Sequence, residues 1–344
     1  MITVLSRHRS AIVFSTLTVM SIIVGLACIF IGSVDIPFDE VVNSLIGKGT
    51  QKPTWDYIIH ESRIPLTITA ALAGAALAIS GLLMQTTFQN PLAGPSILGV
   101  STGASMGVAI LTLGAGGLLQ GIFGNHIGEY VTNIVGALLG AGIIIAILIG
   151  FSSVIRNTLM LLIIGILISY LSSSTISLLN FFSSAEEVKS YVVWGLGSYS
   201  GVTTQQLPLF ALSTIIALLW SLTLSKPLNA LLLGERYVQN MGYNIRNLRN
   251  SLLTISGVLT AIVTAFCGPI GFLGLIVPHV ARLMLNSSNH VILIPATILC
   301  GAFISLLCTL LSVLASCTGT PGETGQGSGT DGQIIPPNED GVIL

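Results

Sequence analysis

Nine long apolar segments follow one another along this chain between residues 11 and 315. A helix that crosses the hydrocarbon core of a bilayer needs about 20 apolar residues, because no water is present there to satisfy an exposed backbone. The eighth segment is short and follows closely on the seventh, which indicates a broken or partly re-entrant span. We predict an all-α polytopic membrane protein with nine transmembrane helices, a number that is accurate to one helix. The segments lie at 11–31, 64–84, 96–114, 131–151, 159–180, 206–224, 251–268, 270–285 and 291–315.

The charge content excludes a soluble domain. Charged residues make up 7% of the chain, whereas soluble proteins carry about 25%. A net charge of -1 argues against a nucleic-acid partner, and the lipid bilayer is the expected surrounding. The five cysteines are scattered without a CxxC pair, so we interpret them as small apolar residues and expect no metal site. The first apolar segment lacks a small-residue cleavage site and is interpreted as a retained helix.

Loop charges predict the orientation. Lys and Arg concentrate in the cytoplasmic loops of membrane proteins. With the N-terminus in the cytoplasm, eight basic residues fall on the inner side and four on the outer side, and the opposite orientation inverts this bias. We therefore predict a cytoplasmic N-terminus. The inner set is Arg7, Arg9, Arg156, Lys226, Arg236, Arg246, Arg249 and Arg282, and the outer set is Lys48, Lys52, Arg63 and Lys189.

A polar island interrupts the apolar pattern at residues 226–250, which read KPLNALLLGERYVQNMGYNIRNLRN. It holds four of the twelve Lys and Arg residues, and the predicted orientation places it in the cytoplasm. The stretch between Gly234 and Gly242 is typical of a short helix. Its mixture of apolar and charged residues favours a docking element for a soluble partner, and a solvated loop is the alternative.

Two further loops carry proline and glycine at positions that break helices. In residues 85–105, Asn90-Pro91 and Gly94-Pro95 bracket a non-helical turn, because a proline disfavours the α conformation of the residue before it. This turn is either a simple helix hairpin or a structured re-entry beside a central pathway. In residues 267–284, Gly268-Pro269 breaks the chain as it re-enters the membrane, as a structural kink or as part of a substrate site.

Glycines repeat at intervals of four in the third and fourth apolar segments. Gly99, Gly103 and Gly107 share one helix face, and Gly136 and Gly140 share another. Small residues at this spacing let two helix backbones approach closely. The pattern predicts tight helix packing and carries no functional information by itself.

The sequence contains no recognisable catalytic or energy-coupling chemistry of its own. It has no HExxH motif, no paired carboxylates inside an apolar segment and no GxxxxGK[ST] phosphate loop. The near absence of ionisable residues in the spans disfavours an ion-coupled secondary carrier. We expect that the chain is not an enzyme, and that energy for uphill transport comes from another subunit.

Four motifs in order resemble the permease subunits of ABC importers for iron–siderophore complexes, haem and cobalamin. The resemblance extends from about residue 10 to about residue 315. The motifs are SRIPL at 62–66, GAALAISGLLMQTTFQNPLAGPSILGVSTGAS at 74–105, LNALLLGERYVQNMG at 228–242 and GPIGFLGLIVPHVARL at 268–283.

The resemblance implies a ten-helix permease in the bacterial inner membrane. It implies a homodimer with a pathway on its two-fold axis, two ABC ATPase subunits below and an extracytoplasmic substrate-binding protein above. ATP would be used by the ATPase subunits, and this chain would bind no cofactor. The expected function is import of an iron–siderophore-type metal chelate by alternating access.

The resemblance also assigns roles to individual residues. The stretch matching the family's coupling helix is Gly234–Gly242, within 228–242. Glu235 and Arg236 are expected to make polar contacts with the ATPase, and Leu231, Leu232 and Leu233 apolar ones. The further expectations are a pathway or gate at Asn90, Pro91, Gly94, Pro95, Asn157 and Thr158, and docking of the binding protein by Arg63.

Two positions depart from the family pattern. Arg63 matches the first arginine of a docking R-x-P-R motif, but Leu66 replaces the second, which weakens one expected salt bridge. The residues that could compensate for it are Lys48, Lys52 and Lys189. The gate at the start of the fifth helix has two small polar residues in relatives. Thr158 keeps one of them and Leu159 replaces the other, with Asn157 adjacent.

The C-terminal region departs most from the family. Relatives continue after the position of Ala315 with a tenth helix, whereas residues 316–344 here are rich in Gly, Thr and Pro and are predicted to be disordered. We divide the chain into a permease domain, 1–315, and this tail. An altered 3′ end of the coding sequence is the favoured hypothesis over a nine-helix variant, and resequencing the locus tests it. The alternative function is a truncated, non-transporting protein that at most binds its ATPase.

Overall fold

The computed structural model describes residues 2–114, 125–155 and 158–318, with side chains described for 9–114, 131–155 and 159–316. The regular secondary structure of these residues is helical. A π-helical turn, 59–63, joins α3 to α4, and another, 110–114, extends α5. The helices are α1 Ile2–Phe30, α2 Phe38–Leu45, α3 Pro53–Ile58, α4 Ile64–Thr87, α5 Val100–Ala109, α6 Asn125–Val154, α7 Thr158–Phe182, α8 Ala185–Gly195, α9 Leu207–Thr223, α10 Ser225–Leu232, α11 Glu235–Asn240, α12 Ile245–Cys267, α13 Leu273–Leu285 and α14 His290–Thr318.

Each of the nine predicted apolar segments contains a helix, but their number as full spans is not confirmed. Within the described residues, six helices are long and apolar enough to cross a membrane, or seven if α9 and α10, bent by 49°, form one span. α13 has 13 residues, which at 1.5 Å per residue is about 20 Å and short of a core about 30 Å thick. Its length agrees with the broken or re-entrant segment predicted there. The cytoplasmic position of the N-terminus stays a prediction.

Two helices form the centre of the bundle. In the most apolar stretches of α4 and α12, 78% of the residues are buried. α4 packs against α14, α12, α13 and α9. In α1 and α7 the corresponding buried share is 17%. The apolar outer faces of α1 and α7 are therefore left for lipid or another subunit.

Glycines let α4 contact its neighbours backbone to backbone. A Cβ atom added to Gly81 would lie 1.6 Å from the carbonyl oxygen of Gly274 in α13. A Cβ atom added to Gly74 would lie 2.3 Å from the carbonyl oxygen of Gly301 in α14. Neither position accepts any side chain without separating the helices.

The glycine repeats predicted to bring two helices together are confirmed in the α5–α6 pair. A Cβ atom on Gly107 would lie 2.0 Å from the carbonyl oxygen of Gly136, and one on Gly140 would lie 2.1 Å from that of Gly103. Gly99 has another role: it precedes α5 with φ +81°, a left-handed conformation that glycine adopts without strain.

Hydroxyl groups join α4 to α12 in the buried centre. Ser80 Oγ lies 2.7 Å from Ser256 Oγ and 2.7 Å from Thr260 Oγ1, and it also donates to the Ser256 carbonyl at 2.9 Å. Interhelical hydrogen bonds of this kind supplement van der Waals packing in membrane bundles.

The C-terminal tail, predicted to begin at residue 316, begins later than expected, because α14 continues to Thr318. Residues 319–344 lie outside the described part of the chain.

The α5–α6 contact predicts opposite effects for two alanine substitutions in one helix. Gly140→Ala places a methyl group against the Gly103 carbonyl, and we expect it to destabilise the protein by about 1–3 kcal/mol. Gly142→Ala is the matched control, because nothing lies within 4 Å of its added Cβ and alanine favours a helix over glycine. Thermal denaturation of the purified protein in detergent measures both, and equal melting temperatures for the two variants would contradict the contact.

Candidate functional site

The polar island folds into α10, α11 and the first turn of α12. The chain bends by 49° between α9 and α10. α11 is a six-residue helix, and glycines with positive φ precede and follow it: Gly234 at +104° and Gly242 at +84°. Asn244 then begins α12, its side chain accepting hydrogen bonds from the backbone N–H groups of Arg246 and Asn247. The short helix predicted between Gly234 and Gly242 is confirmed.

Gly234 makes the sharp turn from α10 into α11. Its φ of 104° and ψ of 159° lie in a region that is essentially restricted to glycine. Its N–H donates to the Leu231 carbonyl at 3.1 Å, and its own carbonyl accepts from the N–H of Tyr237 at 3.1 Å. A side chain at this position would strain the backbone even though the surrounding space is open.

α11 is held to the bundle by one apolar and one charged contact. Val238 is fully buried. Glu235 Oε1 lies 3.2 Å from Nη2 of Arg249 in α12, and Arg249 Nη1 donates to the Ile155 carbonyl, just after α6, at 3.2 Å. Glu235 is about half exposed, so solvent screens the ion pair and we expect about 0–1 kcal/mol from it. Its main effect is to orient α11 relative to α12 and the end of α6.

The outer face of α10 and α11, which we call the α11 surface, consists of Leu232, Leu233, Arg236, Tyr237 and Met241. The four apolar side chains are between 46% and 66% exposed, and Arg236 is exposed beside them. Apolar and aromatic side chains next to a charge are typical of a surface that another protein covers.

Leu231, expected to contact the ATPase, instead belongs to the core. It is 6% exposed, and its carbonyl accepts a hydrogen bond from Gln89 Nε2 at 3.3 Å. The reason is the helical periodicity of α10, which turns Leu228 and Leu231 to the same side, against the bundle. Leu232 and Leu233 point outward as expected.

A polar cleft of ≈ 790 Å³ separates α11 from the end of α6 and the start of α12. Ser152, Glu235, Gln239, Arg246 and Arg249 line it. No group of three His, Cys, Asp or Glu side chains among the described residues is arranged to hold a metal ion.

The predicted non-helical turn after α4 is confirmed, but its two proline dipeptides lie against different cavities. Asn90-Pro91 lines a cleft of ≈ 370 Å³ together with Arg282 and His290. Gly94-Pro95 lies in a separate cleft of ≈ 230 Å³ against the segment 270–275. The structure therefore does not bring the four residues into one cavity, and their pathway role stays a prediction.

The remaining gate residues fall at the edge of the described chain. Asn157 lies outside the described residues. Thr158 begins α7, and its side chain is not among those described.

Arg63, the expected docking residue, is buried beneath the end of α1. It is 5% exposed, and its guanidinium donates to the carbonyl groups of Ile29, Phe30 and Val34. Gly32 leaves the room for this, since a Cβ there would lie 2.6 Å from Arg63 Nη2. The side chain satisfies carbonyls that the end of a helix leaves unpaired. This conformation therefore argues against the docking role, which needs an exposed arginine.

The sequence interpretation missed a group of polar residues beside the α11 surface. Gln85 and Thr86 at the end of α4 bond to Arg282 and His290, and His290 bonds to Asn229 of α10. These residues are scattered across four sequence segments. The available signal was the change from apolar to polar residues within the last turn of α4.

Comparison with known proteins agrees with this architecture. Residues 19–320 match the model of the FecCD transport family. The vitamin B12 import system permease protein BtuC of Escherichia coli O1:K1 / APEC is 35% identical over 264 residues, which cover 76% of this chain and 77% of BtuC. BtuC of Shigella boydii serotype 18 matches with the same identity and coverage.

A solved structure has the same fold. It is assigned as a metal-chelate type ABC transporter in an inward-facing conformation, and it matches with a TM-score of 0.76 and 30% identity over 90% of this chain and 93% of its own. Relatives of this kind are multi-pass proteins of the inner membrane whose ATPase is a separate subunit. From the family match, the identity and the shared fold it follows that this chain belongs to the FecCD transport family and is an ABC importer permease of the inner membrane.

Proposed function

We propose that this permease carries a metal chelate of the iron–siderophore class into the cytoplasm. Relatives that are named for vitamin B12 import and for metal-chelate transport support a metal chelate as the substrate class. The iron–siderophore class is our expectation for this chain. A second copy of the chain, two ATPase subunits and an extracytoplasmic binding protein complete the transporter.

The observation that carries the proposal is the α11 surface. A short helix held to the bundle by Val238 and Arg249 presents exposed apolar side chains and Arg236 outward, although a membrane protein without a partner would gain nothing from exposing them to water. An ATPase subunit that covers this surface can push on α10 and α11 when ATP binding closes the ATPase dimer. The push drives rigid-body rearrangement of the helices around a central pathway.

Transport by the assembled complex tests the substrate class. The chain is reconstituted into vesicles with its ATPase and binding-protein subunits, and uptake of an iron-55 ferric hydroxamate is compared with that of cobalt-57 cyanocobalamin. We expect ATP-dependent uptake of the ferric chelate. Preference for cyanocobalamin would reassign the substrate within the family, and ATP hydrolysis without uptake of either would favour the non-transporting alternative.

Charge reversal at Arg236 is expected to weaken ATPase binding. Arg236 is an exposed residue of the α11 surface, and arginines in protein interfaces often contribute more than about 1 kcal/mol. Arg236→Glu should therefore lower the ATPase affinity at least about fivefold, measured as ATPase retained on immobilised permease. Lys226→Glu changes the net charge equally on the exposed first turn of α10 and should retain the ATPase. Equal retention by the two variants would rule out this role for Arg236.

Gly234→Ala is expected to misplace α11 without unfolding the bundle. The residue needs a backbone conformation that costs an alanine about 1–3 kcal/mol. We expect reduced uptake per ATP hydrolysed and a nearly unchanged melting temperature, because the strain is relieved by movement of a six-residue exposed helix. Gly150→Ala in α6 is the control, since its added Cβ also meets open space but on a helical backbone. If Gly234→Ala keeps the wild-type uptake per ATP hydrolysed, the backbone conformation of this turn is not needed for coupling.

A further inference from the structure

We propose that His290, held between Asn229 and Thr86, is the junction through which α10 moves the ends of α4 and α14. The inference rests on the proposed function, because it concerns how a push on the α11 surface reaches the helix bundle. His290 and Asn229 are positioning residues in this proposal, and neither contacts the transported chelate.

The junction lies where three helices meet. Asn229 belongs to α10, whose Leu228 is fully buried against the bundle. His290 is the first residue of α14, and Thr86 lies in the last turn of α4. His290 is 1% exposed and Thr86 7% exposed. A polar contact at this depth is shielded from water, and an unpaired member would be costly.

The side-chain amide of Asn229 has one orientation that satisfies all its neighbours. Its Oδ1 accepts from the backbone N–H of His290 at 2.7 Å, and its Nδ2 donates to Asn289 Oδ1 at 2.8 Å. If the amide were reversed, its Nδ2 donor would face the backbone N–H donor of His290, and its Oδ1 acceptor would face Asn289 Oδ1, which is also an acceptor. The amide therefore spans from α10 to the first turn of α14.

This orientation determines where the proton of the His290 ring lies. Nδ1 is 3.0 Å from the same Asn229 Oδ1, an atom that can only accept, so Nδ1 carries the hydrogen. A neutral imidazole then has an acceptor at Nε2, 2.9 Å from the hydroxyl of Thr86. The Thr86 hydroxyl has one proton, and the Leu82 carbonyl, 2.9 Å away, is a competing acceptor for it. The proton is assigned to Nε2, because the buried neutral ring has no other donor at that atom among the described residues, whereas the Leu82 carbonyl lies within α4. This donation links α4 to the chain of hydrogen bonds.

Neighbouring bonds tie the same end of α4 to α10 and α13. Gln89 Nε2 donates to the Leu231 carbonyl at 3.3 Å, and Gln85 Nε2 donates to the Leu275 carbonyl at 3.0 Å. The guanidinium of Arg282 donates to Gln85 Oε1. The four helix segments are therefore bonded side by side at this level.

The covalent connections of α10 are less rigid than this junction. On one side the chain bends by 49° into α9, and on the other it turns through Gly234 into α11. A bend or a glycine turn deforms more readily than a contact in which buried Leu228 and Leu231 pack against the bundle and the partly buried Asn229 bonds His290. A displacement of α10 is therefore transmitted sideways into α4 and α14.

Thr86 allows a sharp test, because the next residue is a matched control. Thr87 is buried to a similar degree, at 8% exposure, and its hydroxyl bonds the Leu83 carbonyl of its own helix. Thr86→Val removes the donor to His290 while keeping the shape, Thr86→Ser restores the donor, and Thr87→Val removes a hydroxyl with no link to α10. Each variant is reconstituted with the ATPase and binding protein, and uptake of the iron-55 ferric hydroxamate is divided by ATP hydrolysed.

We expect Thr86→Val to lower uptake per ATP by about 2- to 30-fold, the range by which residues that couple distant sites modulate coupling. Retention of the ATPase should stay unchanged. Thr86→Ser and Thr87→Val should keep the wild-type ratio. A wild-type ratio in Thr86→Val, or an equal loss in Thr87→Val, overturns the proposal.

A double substitution separates a shared junction from two independent defects. Asn229→Ala should lower uptake per ATP as Thr86→Val does, and the double variant should lose no more than the worse single variant, because both act through His290. If the loss of uptake per ATP in the double variant equals the product of the two single losses, the shared junction is overturned. Failure of the wild-type complex to take up the ferric chelate or cyanocobalamin would instead refute the proposed function, which these variants do not test.

Discussion

The close approach of helix backbones around α4 is the constraint on which the rest of the structure depends. Lipid tails are as apolar as leucine side chains, so apolar surface alone gives little reason for helices to associate within the bilayer. Contact between backbones supplies the missing attraction, and it needs glycine at the crossing points. Gly81 against Gly274 and Gly74 against Gly301 provide it toward two neighbouring helices, α13 and α14, and Ser80 adds hydrogen bonds toward α12.

The same central helices lead directly to the α11 surface. Along α4, about one and a half turns separate the packing contact of Gly81 from Thr86, which bonds His290, and Gln89 follows the end of the helix and bonds the carbonyl of Leu231. Along α12, the hydroxyl cluster at Ser256 lies two turns from Arg249, which orients α11 through Glu235. The helices that the bundle holds most firmly therefore end beneath the segment that we propose the ATPase contacts.

Sequence patterns within one segment predicted the helices and their close packing well. They did not predict which polar residues from distant segments contact one another. Apolar length located the nine helical segments, and the glycine spacing predicted a close α5–α6 approach. The family motif at Arg63 suggested an exposed docking residue, but the chain folds the carbonyl groups at the end of α1 over it. Similarly, the Asn229–His290–Thr86 contacts join three distant segments. No single-segment pattern encodes such contacts, because tertiary packing selects which polar residues meet.

The α11 surface and α10 are held in different ways, and the difference suits different tasks. α11 has one fully buried side chain, Val238, and a half-exposed ion pair, so it can adjust to a partner's surface at little energetic cost. α10 has Leu228 and Leu231 in the core and a partly buried amide, that of Asn229, bonded to α14. An element that binds benefits from adaptability, whereas one that transmits force must resist deformation. The boundary between the two is Gly234, which lets the binding helix reorient while α10 keeps its fixed position against α4.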